Sequence, residues 1–252
     1  MNYTEDPFFA EGAMITHILF DVDDTLLDYQ RAEAQVLSRI FAGCGRELRA
    51  EELSEAWRLS WAHWDAERLS ETDAPEVQRE YHERYHRSVQ AYCGELSRRY
   101  GLGMSAEETY RQFNALLGQA VTVYEDTLKV LDVLKGRGYV LCAATNGLMC
   151  VQRPRVEAPG GRIDRLFCSE AMGVVKPMEA FFARVLEETG ARAEQCLMVG
   201  DSLRSDISGA KRAGMRTIWV NRKGQAAGEY APDEIVENLK EILDSKLLKQ
   251  EG

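Results

Sequence analysis

Several things are missing from this 252-residue chain, and each absence closes off a class of protein. It contains no run of about 18 apolar residues, so no segment reads as a membrane-spanning helix. Its opening, MNYTEDPFFAEG, lacks the charged and apolar regions of a signal peptide, which leads us to expect a cytoplasmic location. Positive charge is also short: 41 acidic against 31 basic residues leave a net charge of −10, the reverse of the footprint a nucleic-acid partner needs. The six cysteines (Cys44, Cys93, Cys142, Cys150, Cys168 and Cys196) include no CxxC pair, so they read as free thiols rather than a zinc knuckle or a disulfide framework.

With 45% hydrophobic and 29% charged residues the composition is that of a globular protein, and the length suits one large domain or one domain carrying an insertion. Short apolar runs at 16–20 (THILF), 139–144 (YVLCAA), 196–199 (CLMV) and 217–220 (TIWV), with a weaker one at 166–168, read as buried strands alternating with helices. That alternation predicts an α/β fold with a doubly wound parallel sheet. Between Asp28 and Gln119 no strand-like run occurs. Trp57, Trp61 and Trp64 fall on one helical face, and Val77, Tyr81, Tyr85, Val89, Tyr92 and Leu96 form a stripe along another helix, so this stretch reads as an all-helical insertion with its own small core. Residues 1–13 read as a flexible N-terminal extension, with Met14 an alternative start.

The chemistry concentrates at predicted strand ends. Asp21-Val22-Asp23-Asp24-Thr25 follows the first strand directly, and open parallel sheets bind ligands at the carboxyl ends of their strands. Alone, this turn is equally well explained as a polar loop or a helix cap. Three further polar signals stand at or beyond later strand ends: Thr145-Asn146-Gly147, Lys176-Pro177, and Gly200-Asp201 followed by Asp206. A sheet of this kind brings them together, giving an acid pair, a hydroxyl, a lysine and another acid in one pocket, which is a set suited to moving a phosphoryl group.

In order and spacing, ILFDVDDTLLD, AATNG, VVKP and VGDSLRSD resemble the four motifs of the haloacid dehalogenase superfamily of phosphohydrolases, and the likeness spans residues 16–245. The resemblance implies a catalytic core over 14–28 and 120–252 with a helical cap over 29–119. It implies that Asp21 attacks phosphorus to form an aspartyl phosphate, that Asp23 is the general acid and base, and that Thr145, Asn146, Gly147 and Lys176 bind the phosphate, with Thr145 and Lys176 also catalytic. Crowded acids around an anionic substrate call for a cation, and an all-oxygen site suits Mg²⁺, held through Asp21, Asp201 and the backbone carbonyl of Asp23. Asp206 is either an N-cap or a group behind the ligands that holds Lys176 or a metal-bound water. Asp24 stands where the family commonly has glycine. Pro154 and Pro159 are expected to kink or partly unwind the helix after the second motif, where no catalytic residue maps.

Within the family, TNGLMCVQRPRVEAPG is similar to the nucleotidase branch, so nucleoside 5'-monophosphates are the expected substrates. Sugar phosphates, phosphoglycolate and phosphosugar mutase chemistry stand as alternatives, as does a regulatory binding role on the same fold. Asp23 and Asp201 argue against dehalogenation. The segment 29–119 holds twelve arginines, no lysine and three of the four tryptophans, and both side-chain types stack on nucleobases, although tryptophans sharing a helical face more often pack into a core. His82-Glu83-Arg84-Tyr85-His86 fits the HExxH zinc pattern, with Glu107 or Glu108 as third ligand, but Arg84 beside the histidines favours a solvated helix face. We expect a monomer or homodimer, a small-molecule phosphomonoester as partner, and neither a nucleic acid nor a membrane.

Overall fold

The computed structural model describes residues 14–248, and the extension expected over 1–13 lies outside them. Strands β1 (His17–Phe20), β2 (Val140–Thr145), β3 (Arg165–Cys168), β4 (Cys196–Gly200), β5 (Arg216–Val220) and β6 (Glu234–Val236) form one parallel sheet ordered β3-β2-β1-β4-β5-β6. Five of these correspond to the apolar runs. β6 does not: its three residues, EIV, are too few to show a period, and it exists by pairing with β5, where Val236 lies opposite Val220.

Between β1 and β2 run four helices, α1 (Tyr29–Gly43), α2 (Ala50–Ala66), α3 (Pro75–Tyr100) and α4 (Ala106–Gln119). Their ends carry ordinary signals. Asp28 caps α1, its Oδ1 accepting from the Arg31 amide at 2.9 Å, Pro75 occupies the first turn of α3, and Ser105 and Glu108 form a capping box on α4. Because Asp28 takes the capping role, Asp23 is not needed for it. The two connections to the sheet lie side by side, with the Asp28 amide donating to the Thr122 carbonyl at 2.8 Å and Leu27 bridged to Val123.

After α4 come α5 (Thr127–Gly136), α6 (Met149–Glu157), α7 (Ser169–Met172), α8 (Glu179–Thr189) and α9 (Ser208–Arg212). Successive strand residues point to opposite faces, so an unbroken apolar strand requires cover on both. Accordingly Ile18, Phe20, Leu141, Ala143, Leu197 and Val199 pack with Val130, Leu131 and Leu134 of α5, whereas Leu19, Cys142, Ala144, Cys196 and Met198 pack with Phe181, Phe182 and Val185 of α8.

The four-helix layer buries Val36, Leu37, Phe41, Tyr92, Leu96 and Phe113 in a third cluster, which also takes in Leu148 and Val151 at the start of α6. The core expected for the insertion is therefore shared with the sheet side. α6 stays helical through Pro154, and Pro159 falls beyond its end, so the expected unwinding does not occur. The Cys150 carbonyl, deprived of the Pro154 N–H, faces α4 at Gly118, where a Cβ would stand 3.1 Å from it. All six cysteines are free, and among the described residues no helix is long and apolar enough to cross a membrane.

Candidate active site

The strand order reverses direction between β1 and β4, and at such a switch point the carboxyl ends of the strands open into a crevice. Asp21 follows β1 and Asp201 follows β4, on either side of that point, while Thr145 ends β2. With Asp23, Asp24, Asn146, Gly147 and Asp206 they line one cavity of about 610 Å³, within the range of small-molecule sites.

Lys176 lies behind this wall, 1% exposed. Its Nζ donates to Asp21 Oδ1 at 2.7 Å, Asp206 Oδ1 at 2.7 Å and the Ala144 carbonyl at 2.6 Å. All three ammonium hydrogens thus have acceptors, which fixes the position of the charge. Asn146 holds the lysine backbone from both sides, its Nδ2 donating to the Lys176 carbonyl and its Oδ1 accepting from the Lys176 amide, each at 2.8 Å. Asp206 sits in a single π-helical turn (Leu203–Ile207) whose cap is Ser202, so N-capping does not explain it. Its Oδ2 accepts from the Ser202 amide at 3.0 Å. Gly200 is required by this arrangement, since a Cβ there would collide with the Asp206 carboxylate.

Electrostatically the site is short of cations. Burial, reinforced by Asp206 and Asp23 and opposed by Lys176, pushes Asp21 up to about 7. Burial and then the charges of Asp21, Asp206 and Asp24 raise Asp201 well above the usual carboxylate range. Burial works against the Lys176 ammonium, but Asp206 and Asp21 outweigh it and lift its pKa above that of an ordinary lysine. Asp21, Asp201 and Asp206 each offer an oxygen, and these oxygens lie within 4.8 Å of one another. One lysine cannot neutralise three such acids, and an all-carboxylate donor set fits a hard divalent cation.

Asp23 has partners that the sequence gave no reason to expect. Gln152 Nε2 donates to its Oδ2 at 2.7 Å, and Arg155 Nη1 stands 2.7 Å from its Oδ1. Arg155 is fully buried, and its Nε and Nη2 have no hydrogen-bond partner. Both residues come from α6, the segment read as free of catalytic contacts. Their one-turn spacing, i and i+3, was the available signal. Gly147 lies against Gln152, where a Cβ would come within 2.6 Å of Nε2. Asp24 explains its own substitution: its φ is +60°, the left-handed conformation that glycine adopts freely and aspartate tolerates better than most residues.

Three other expectations are corrected. Trp57, Trp61 and Trp64 all line the cavity and Trp61 is 58% exposed, while Trp64 also packs on the cluster of Leu69, Val77 and Tyr81, so the core expectation holds only for it. None of the twelve arginines of 29–119 lines it. Seven of them pair with acids instead, as in Arg87–Glu67 and Arg84–Glu80. The HExxH histidines are half-buried rather than solvated and serve two different partners, His82 the Ser169 hydroxyl at 2.8 Å and His86 the Tyr110 hydroxyl at 2.5 Å. Glu108 is engaged in capping α4.

Residues 15–214 match the model of the haloacid dehalogenase-like hydrolases. The pyrimidine 5'-nucleotidase PynA of Streptococcus pneumoniae is 30% identical over 210 residues, covering 81% of this chain and 83% of its own length. The ribulose-1,5-bisphosphate 5-phosphatase of Halopiger xanaduensis is 27% identical, covering 92% and 99%. Among solved structures, the magnesium-bound HAD-hydrolase YfnB of Bacillus subtilis, for which interdomain movement is described, superposes with a TM-score of 0.73 at 26% identity, covering 92% of this chain and 98% of that one.

Proposed function

The chain belongs to the haloacid dehalogenase-like hydrolases and is a phosphoric monoester hydrolase, and from that premise we propose that it is a Mg²⁺-dependent phosphatase of nucleoside 5'-monophosphates. The observation that carries this reading is the Lys176 ammonium bridging Asp21 and Asp206 with the Asp201 carboxylate alongside, at the reversal point of the sheet. Asp206 has both oxygens engaged, by Lys176 and the Ser202 amide, so Asp21 and Asp201 are the carboxylates left to hold the cation. The Asp23 backbone carbonyl is assigned to the same ion. Held there, Mg²⁺ would neutralise the acids and supply positive charge to the phosphoryl oxygens.

In the first half of the reaction an Asp21 oxygen bonds to phosphorus and the bond from phosphorus to the ester oxygen breaks. Protonated Asp23 gives its proton to that departing oxygen. In the second half Asp23, now a carboxylate, takes a proton from water as the water oxygen bonds to phosphorus, which releases phosphate and restores Asp21. Lys176 keeps Asp21 in line and adds fixed positive charge, while the Thr145 hydroxyl and the Asn146 backbone N–H donate to the phosphoryl oxygens and Gly147 allows the chain to come close. Arg155 and Gln152 hold the Asp23 side chain in place for both of these roles. The helices over the cavity act as a cap that closes during transfer to exclude bulk water.

The substrate assignment rests on the aromatic wall of Trp57, Trp61, Trp64 and Tyr85 opposite the acids, a surface suited to a planar base, and on similarity to a nucleotidase. It is tested by kcat/KM for nucleotides, sugar phosphates and phosphoglycolate, with Mg²⁺ and with chelator. Nucleotides should lead by at least about tenfold, ~1.4 kcal/mol of discrimination. Activity should vanish in chelator and return with Mg²⁺. A lead for a non-nucleotide overturns the substrate, and full activity in metal-free protein verified by elemental analysis overturns the metal.

A further inference from the structure

The end of the cavity away from the phosphate site holds two buried polar groups whose bonding is incomplete. Glu33, in the second turn of α1, is 3% exposed, lines the cavity, and has no hydrogen-bond partner for Oε1. Trp57, in α2, lines the same cavity, and its indole Nε1 is likewise buried without an acceptor. Asp23 and Arg222 also line the cavity with one such atom each, but Asp23 Oδ1 is ion-paired with Arg155 and the Arg222 guanidinium stacks on Tyr124 and donates to the Thr25 carbonyl, whereas Glu33 and Trp57 come from the helical layer and have no charged partner.

The surroundings of Glu33 supply no counter-charge. The groups that act on it or are acted on by it are Tyr29 on its own helix, Ser60 on α2, and Tyr92 and Cys93 on α3. Burial, only partly offset by the Tyr92 and Ser60 hydroxyls, pushes the Glu33 carboxyl up to about 7. Glu33, Tyr29 and Asp23 line the same cavity. Ser60, Trp61 and Trp64 lie three, four and seven residues after Trp57, so one face of α2 presents the indole N–H, the hydroxyl beside Glu33 and two further rings to the cavity.

An unpaired buried carboxylate or N–H costs the protein stability, and the cost is recovered only if a ligand supplies what is missing. Here the demands have opposite sense: Glu33 needs a donor and Trp57 an acceptor. We propose that Glu33 and Trp57 are specificity residues that read the edge of a nucleobase presenting a ring N–H beside a carbonyl oxygen, as uracil does, with Glu33 accepting from the N–H and Trp57 Nε1 donating to the oxygen. This rests on the nucleotide reading above and adds the residues and the base edge to it. A cationic amine, such as that of a choline ester, satisfies the carboxylate and the aromatic walls but gives Trp57 Nε1 no acceptor.

The test measures kcat/KM for uridine 5'-monophosphate, its N3-methyl derivative, ribose 5-phosphate and phosphocholine with the full chain, Glu33→Gln and Trp57→Phe. The parent should prefer the uridine nucleotide over ribose 5-phosphate. N3-methylation and Glu33→Gln should each lower that preference about tenfold or more, as expected for a hydrogen bond to a charged group, and together should cost little more than either alone. Trp57→Phe, which keeps an aromatic ring, should lower it about threefold to tenfold. If the parent shows no preference over ribose 5-phosphate, the nucleotide reading itself fails. If the preference stands but survives both N3-methylation and Glu33→Gln, or their losses multiply, the inference fails while that reading holds. Preference for phosphocholine that Glu33→Gln abolishes also overturns it.

Discussion

The two ends of the cavity treat buried charge in opposite ways. At the sheet end buried acids are met by cations and donors: Asp21 and Asp206 by Lys176, Asp206 also by the Ser202 amide, and Asp23 by Gln152 and Arg155. At the helical end, Glu33 and Trp57 each leave a polar atom without a partner. Charges held by fixed partners are preorganised, so that they need not reorient as charge moves, whereas a buried acid without a counter-charge stores a cost that only the right ligand relieves. One end is built for chemistry common to phosphate esters and the other for choosing among them. Substitutions at the two ends should therefore fail differently, in turnover at the first and in discrimination and stability at the second.

The largest effect is expected at Asp21. Asp21→Asn keeps the side-chain volume but removes both the attacking carboxylate and a cation ligand, so kcat should fall by at least about a thousandfold, ~4 kcal/mol in barrier. A circular dichroism spectrum and melting temperature close to the parent's would show that the loss is chemical. Retention of activity within about tenfold would remove Asp21 from the nucleophile's place.

Arg155 sharpens the comparison because it acts through Asp23. Arg155→Met keeps the buried bulk while deleting the ion pair that holds the Asp23 side chain, so with a leaving group that needs little acid the step that needs Asp23 as a base should suffer more than the first step. With p-nitrophenyl phosphate, whose leaving group needs little protonation, the expected result is a stoichiometric burst of nitrophenolate followed by a steady rate about ten- to a hundredfold below the parent's. The same loss without a burst would assign Arg155 to packing alone.

The motifs at strand ends were legible because phosphate chemistry needs acids, a lysine and a hydroxyl at the carboxyl edge of a parallel sheet, and strand periodicity marks that edge. Gln152 and Arg155 were not, because they reach Asp23 across 129 and 132 positions through the placement of α6, which no local pattern encodes. Glu33 was hidden for a related reason. Between Ala32 and Ala34 on an amphipathic helix it reads as a solvated acid, and only the packing of α2 and α3 over α1 buries it. The tryptophan spacing correctly identified one face of a helix but not what that face meets. β6 and the Asp24 turn were likewise set by neighbours, an adjoining strand and a backbone conformation, rather than by their own composition.

The smallest effect expected is thermodynamic and belongs to the helical end. In the folded chain the Glu33 carboxyl titrates at about 7, against 4.5 for the free side chain, so folding raises its pKa. A raised carboxyl gives the protonated, folded form an advantage that is fully present below pH 4.5 and is lost as pH climbs through 7. Glu33→Gln is neutral throughout and escapes this loss, so the substitution should favour folding more at pH 8 than at pH 5, by roughly 2 to 3 kcal/mol. Urea midpoints of parent and variant at the two pH values give the number directly, since the other titrating groups are common to both chains and cancel in the difference. A difference that does not change with pH would mean that Glu33 is solvated or already paired, and the contrast between acids held by cations at the sheet end and an acid without a counter-charge at the helical end would then be lost.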